Sequence, residues 1–374
     1  MPTPAEIPFQ QLLDALLDAN TPFNPRYLYR LSDLDGAELA QFKKTWPKIP
    51  AWRKQALMED LETLGESDLL LSFDAVCSFA LHDEEPKVRL PAVRALWEYE
   101  QPDLIPDFLK IFTNDSQAEV RAAAATALGH YVYLGELEEI LPEVLRVIED
   151  QLLQAANQAE STLVRRMALE ALGYSSREEV PPMIETAYAS GNKDWIASAL
   201  FAMGHSADER WEPQVLAMLE NSRPSIRLEA ARAAGELEIH QAVPELLDLL
   251  DDPDQDVHDA AVWSLSQIGG EGVRETLEQM YEETDDDDEA DNLSEALDNL
   301  AFTEDMQLHT PFNFPEDGKG PDNGGNNDEE EHHHRHHHHS GDFDDLEDED
   351  EFYALDEDED EDEDEEDEDE GVTD

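Results

Sequence analysis

Seven imidazoles fall within eight residues of this chain. His332, His333, His334, His336, His337, His338 and His339 flank Arg335. Neutral imidazole is a ligand for nickel, zinc and copper, so above about pH 6.5 the run is able to chelate such an ion. The run imposes no fixed geometry, and the acids Glu329, Glu330 and Glu331 beside it raise imidazole pKa values, so the same residues also suit a charge buffer. The sequence calls for no obligatory cofactor, and a divalent nickel, zinc or copper ion at this run is the one candidate. Nucleophiles are scarcer. Cys77 is the sole cysteine, and Val76, Phe79, Ala80 and Leu81 set it on an apolar helical stripe, where it packs as a small hydrophobe. One cysteine also excludes an intrachain disulfide and a multi-cysteine zinc site.

Two further groups are built for binding. Phe343-Asp344-Asp345-Leu346 and Phe352-Tyr353-Ala354-Leu355 interrupt an acidic segment with apolar side chains. Such a segment docks on a basic protein surface, charge steering the encounter and Phe343, Leu346, Phe352, Tyr353 and Leu355 burying area; a purely solvating tail is the alternative. Arg89, Arg121, Arg165 and Arg227 recur at one fixed position. A structural ladder follows if each pairs with a turn acid such as Asp83, Asp115 or Glu160; a basic seam for an acidic ligand is the rival reading. Trp97, Trp195 and Trp263 read as core or groove wall.

Charge narrows the partners. The chain carries 93 Asp and Glu against 24 Lys and Arg, a net charge of −69. Residues 303–374 hold 33 of these acids and 2 bases, which leaves a net of −38 on residues 1–302. A phosphate backbone requires a basic footprint, so direct nucleic-acid binding is excluded and a protein with a basic surface is favoured. No run of about 18 apolar residues spans a bilayer, so membrane insertion is not expected. Met1 to Asn20 lacks the basic, then apolar, start of a secretory leader, and a cytoplasmic location is expected.

The elements that position these groups repeat. Val164-Arg165, Ala168 and Ala171-Leu172-Gly173 recur as Val120-Arg121, Ala124 and Ala127-Leu128-Gly129, and as Ile226-Arg227, Ala230 and Ala233-Ala234-Gly235. Looser copies start at Val88, Trp195 and Val257. The anchors 88, 120, 164, 195, 226 and 257 lie 32, 44, 31, 31 and 31 residues apart, so about a dozen residues are inserted somewhere in Tyr131–Glu160. Pro182, Pro213 and Pro244 stand 13 residues before their anchors, where proline opens a preceding helix at no hydrogen-bond cost. Leu246, Leu247, Leu249 and Leu250 then give one wide apolar stripe. A lone helix pair cannot bury that stripe; stacked pairs can.

The period, the Asp-x5-Arg spacing (Asp83 to Arg89, Asp115 to Arg121) and the Val-Arg-x-x-Ala-x-x-Ala-Leu-Gly helix resemble HEAT repeats, and are similar to the short, phycobilisome-lyase-type variety. The resemblance implies an all-α, right-handed α-α superhelix, with an Asp–Arg ladder between units that Ile196 and His258 interrupt. Relatives of this class include deoxyhypusine hydroxylase, which binds iron through His-Glu dipeptides. No His-Glu dipeptide occurs in this chain, so those ligands do not carry over.

Three segments are therefore expected: an N-terminal helical cap over 1–49, a HEAT-like solenoid over 50–302, and a disordered His-rich and acidic tail over 303–374. Within them, helices are expected at Gln10–Asn20, Asp35–Trp46, Trp52–Leu64 and Asp68–Leu81, with an extended aromatic loop over Pro22–Tyr29. The expected function is non-enzymatic: a protein-binding scaffold or adaptor, chaperone-like toward basic clients. The alternative is an enzyme or enzyme subunit of the HEAT-like lyase type, attaching a cofactor or pigment.

Overall fold

In the computed structural model, residues 7–68 and 70–309 are described, and they fall within one compact unit. Seventeen α-helices occur among them and no strand. After α1 (Phe9–Leu17) they form eight successive pairs: α2 (Gly36–Thr45) with α3 (Ala51–Ser67), α4 (Asp74–Ala80) with α5 (Pro86–Arg94), and α6 (Ile105–Asn114) with α7 (Ala118–Glu136). Next come α8 (Pro142–Gln158) with α9 (Thr162–Ala171), α10 (Val180–Tyr188) with α11 (Lys193–His205), and α12 (Glu212–Leu216) with α13 (Pro224–Glu236). The last two pairs are α14 (Val243–Leu249) with α15 (Gln255–Ile268) and α16 (Val273–Glu283) with α17 (Asp287–His309).

Local chemistry sets the ends. Pro106, Pro142, Pro181, Pro213 and Pro244 stand in the first two positions of the first helices, where no N–H is missed. Three second helices, α9, α11 and α15, start on side-chain caps. The Asn192 side chain accepts from the Asp194 N–H at 2.9 Å, and that of Asp254 from the Val257 N–H at 3.4 Å.

The second helices stack on one another in chain order, from α3 to α17. The approach is close because small residues meet. A Cβ added at Gly173 would lie 2.8 Å from the Cα of Ala202, and one at Gly204 would lie 3.0 Å from that of Ala233. Gly129 against Ala171 and Gly235 against Ser264 repeat the contact. In each, the residue nine past one anchor faces the residue seven past the next. First helices pack mainly on the second helices, so the second-helix row is the tighter of the two, and unequal rows bend a solenoid toward the tighter one. The result is an all-α repeat solenoid. A continuous apolar spine fills it, with Trp211, Tyr131, Phe42 and Phe108 among its largest fully buried side chains.

Three details differ from the sequence reading, and a further one fixes what it left open. Pro25–Leu31 is a 3-10 helix and not an extended loop, because Leu28 and Leu31, three residues apart, both bury and the Asn24 side chain caps the turn. The helix expected over Asp68–Leu81 is shorter, at Asp74–Ala80. The residues before it turn, with the Asp33 N–H donating to the Ser72 carbonyl at 2.9 Å. The insertion, left open within Tyr131–Glu160, lengthens α7 to 19 residues and α8 to 17. Finally, α17 continues to His309, beyond Phe302 where the repeat pattern ends. No helix among the described residues is long and apolar enough to cross a membrane.

Candidate protein-binding face

Two register features recur along the second helices, one at the first turn and one near the last. The first-turn feature is the arginine one residue past the anchor. Arg89 donates from Nε and Nη2 to the Asp115 carboxylate of the next unit at 2.7 and 2.9 Å. Its Nη1 donates back to the carbonyls of Asp83 and Glu84 at 2.8 and 3.0 Å. Arg227 does the same, to Asp252 at 2.6 and 2.8 Å and to the Asn221 carbonyl at 2.8 Å. These bonds hold the Asp252 carboxyl below the usual carboxylate range.

The carboxylate pairing is thus between units; within its own unit, Arg89 meets Asp83 only through the backbone carbonyl. The Asp83 carboxylate instead accepts from Lys54 Nζ at 2.7 Å and Trp46 Nε1 at 2.6 Å. Burial opposes its ionised form, but the bonds from Lys54, the Glu85 N–H and Trp46 prevail and hold its carboxyl low.

The middle of the row lacks such acids. Arg121 reaches the Asp115 carbonyl at 2.6 Å, but Ala159 and Ser190 occupy the next acid positions. Arg165 lies 5.4 Å over the Trp195 ring, and its buried Nε has no hydrogen-bond partner among the described residues. Neither Arg121 nor Arg165 is paired with Glu160. Other polar links cross here. Arg177, near the start of α10, bonds Asp150 of α8 at 3.0 Å and Glu179 at 2.9 Å.

The second feature is a row of rings near the helix C-termini. His130, Tyr174 and His205 each follow the close-approach glycine of their unit. Trp97 and His130 lie 6.4 Å apart between centroids, His130 and Tyr133 6.3 Å, Tyr133 and Tyr174 5.6 Å. Tyr174 stacks on His205 at 4.5 Å, and Phe201 meets His205 edge-on at 4.3 Å. The rings cross four consecutive units without a gap, and Trp97 and Tyr133 remain 46% and 43% exposed. Unlike the arginines, they hold no repeated polar partner.

The model of HEAT repeats matches residues 73–150, 180–257 and 212–298, more than half of the chain. The chain is a HEAT-repeat protein. Among solved structures, this HEAT-repeat protein is similar to the YibA protein of Escherichia coli, at 18% identity over 76% of this chain and 99% of that one, with a TM-score of 0.39. It is similar also to human deoxyhypusine hydroxylase in complex with glycerol, at 22% identity over 71% and 96% of the two chains, with a TM-score of 0.32. Importin beta shares 13% identity over 79% of this chain and 47% of its own, with a TM-score of 0.38. No curated protein sequence matches the chain.

Ionisable groups flank the rings on the HEAT helices α9, α11 and α13. Burial pushes the Glu170 carboxyl up to about 7, against the opposing pull of the Ser198 hydroxyl, which donates to it at 2.5 Å, and of Arg166. Burial likewise raises Glu229 and Glu236, and pushes His205 down to about 4, so its imidazole is neutral at pH 7. His205 Nδ1 lies 3.9 Å from Glu236 Oε2.

Cys77 is fully buried and free, and burial raises its thiol pKa far above the usual range, which leaves it inert. No cluster of His, Cys, Asp and Glu fit for a metal ion occurs among the described residues. The histidine run and the Phe343, Leu346, Phe352, Tyr353 and Leu355 motif lie outside the described residues. Of the tryptophans singled out, Trp97 joins the ring row, Trp195 carries Arg165, and Trp263 walls a recess beside Phe201. Sequence reasoning missed His130, Tyr133, Tyr174 and His205. Three of them follow a motif glycine, a signal present in the repeats but masked by the change of ring type.

Proposed function

We propose that this protein is a non-enzymatic scaffold whose second-helix face binds another protein of basic surface, in the cytoplasm. The observation that carries this reading is the unbroken, part-exposed row from Trp97 to Phe201. Rings with a polar edge and an apolar body are well suited to anchoring a partner, and ring faces attract Lys and Arg side chains. Glu136 and Glu170 stand on α7 and α9, Glu98 follows Trp97 and Glu236 ends the neighbouring α13, and the −38 net charge on residues 1–302 steers basic partners toward them. The acidic tail, with its Phe343 and Phe352 motifs, supplies a second contact to the same client and gives the scaffold its chaperone-like character. Nucleic acid is not bound directly.

A fluorescent twelve-residue peptide alternating lysine and leucine, set against its glutamate–leucine counterpart, tests this by anisotropy. The basic peptide binds in low salt, weakens as salt rises, and loses about tenfold in affinity in Tyr133→Ala with Tyr174→Ala, the cost of two such contacts. Equal binding of the acidic peptide, or an unchanged affinity in the double variant, refutes the reading.

A further inference from the structure

Beyond the last ring of the row, α11, α13 and α15 enclose a recess of ≈ 170 Å³. Phe201 and Trp263 stand on opposite sides in sequence, from α11 and α15, while Glu229, Arg232 and Glu236 come from α13 and His205 from α11. Small-molecule sites enclose about 300–1,000 Å³, so this volume suits one side chain of a larger partner.

Its chemistry is that of a cation receptor. Glu229 Oε1 accepts from Arg232 Nη1 at 3.4 Å, but Glu229 Oε2 is buried with no hydrogen-bond partner among the described residues. Arg232 is 53% exposed, so the resident cation sits at the rim and not in the recess. Glu236 lies 3.9 Å from the neutral imidazole of His205. One carboxylate, Glu229, is thus held largely out of water and a second, Glu236, stands part-exposed at the rim, beside two aromatic walls, with Arg232 the one cation lining the recess.

A buried carboxylate oxygen without a donor is costly unless a donor arrives. An ammonium is a compact, strongly hydrated charge; a guanidinium is planar, less hydrated, stacks on rings and carries five donors. The geometry points to this recess as the socket for one arginine side chain of the bound partner. Its plane lies against Phe201 or Trp263 and its donors reach Glu229 and Glu236. This rests on the second-helix face being the docking face, and it names the residue that sets the register of the partner upon it.

The test is an NMR titration of the full chain with n-propylguanidinium and its neutral isostere n-propylurea. The indole N–H of Trp263 is assigned through Trp263→Phe. A saturable shift of that signal with the guanidinium and none with the urea is expected, and Glu229→Gln with Glu236→Gln should abolish it while the far-UV spectrum stays unchanged. Equal shifts with both probes, no saturation, or persistence in the double variant overturns the socket. A peptide arm separates this from the broader reading. Replacing lysine by arginine in the basic probe should gain about fivefold or more in affinity in the native protein and nothing in the double variant. Ring-dependent binding without that gain removes the socket and leaves the docking face. Loss of ring dependence together with a persistent guanidinium shift does the reverse.

Discussion

The two ends of the same second helices are finished in opposite ways. At the first turn, Arg89 and Arg227 are held by paired carboxylates and backbone carbonyls, with Asp115 and Asp252 almost fully buried. Near the last turn, Trp97 and Tyr133 stay part-exposed. One edge of the stack spends its polar chemistry on joining units; the other leaves surface free for a partner. Repetition of residue type marks the first edge and conservation of position with changing type marks the second. A joint has to be the same everywhere, whereas a contact surface has to fit something irregular.

The largest effect expected is on the joint. Asp115→Ala leaves the Arg89 guanidinium part-buried without its partner and should cost about 3–5 kcal/mol in urea unfolding. A loss below about 1 kcal/mol would make the ladder decoration. Next is the shared spine. Gly173→Ala puts a Cβ 2.8 Å from the Cα of Ala202, so backbone has to move, at about 1–3 kcal/mol, and the Tyr174–His205 stack should loosen with it. An unchanged midpoint would show that the units have slack.

The ring edge should reveal itself through pH. Glu170 titrates at about 7 in the folded chain, above its ordinary 4.5. A raised carboxyl lends stability that is complete below pH 4.5 and disappears as pH climbs through about 7. His205 runs the other way, its share being lost as pH falls from 6.5 through about 4. The two oppose each other between those limits, and above pH 6.5 Glu170 acts without that opposition. Unfolding stability should therefore fall between pH 6.5 and 8, by less than about 1 kcal/mol, and Glu170→Gln should flatten most of that slope. The smallest effect is expected where the ladder lapses: Arg165→Ala, which removes a guanidinium over Trp195 and no ion pair, should cost less than about 1 kcal/mol.

Much of the fold was legible because it is written in register. The anchors, the prolines opening the first helices and the alanine–glycine stripe give the order of the helices and their stacking. The site was less so. Asp83 and Arg89 are six residues apart and look like partners, yet the offset between stacked units brings Asp115 to Arg89 and sends Asp83 to Lys54. Only the stack shows that offset. The rings escaped notice because histidine and tyrosine alternate where a pattern of one residue was sought. The position of the insertion could not be read either, since extra helical turns keep the same composition and periodicity as the helices they extend.

Those extra turns have a consequence for recognition. Second helix α13 ends ten residues past its anchor, whereas α7 runs sixteen past Val120, and Tyr133 lies on that extension. Tyr133 has no equivalent in the other repeats, and it is the keystone that spans His130 and Tyr174. Trimming α7 and α8 to the common repeat length would leave an array of the same architecture bearing two short, separate aromatic islands. Here a length polymorphism in one module, not a change at a shared position, is what turns a periodic framework into a single reading surface.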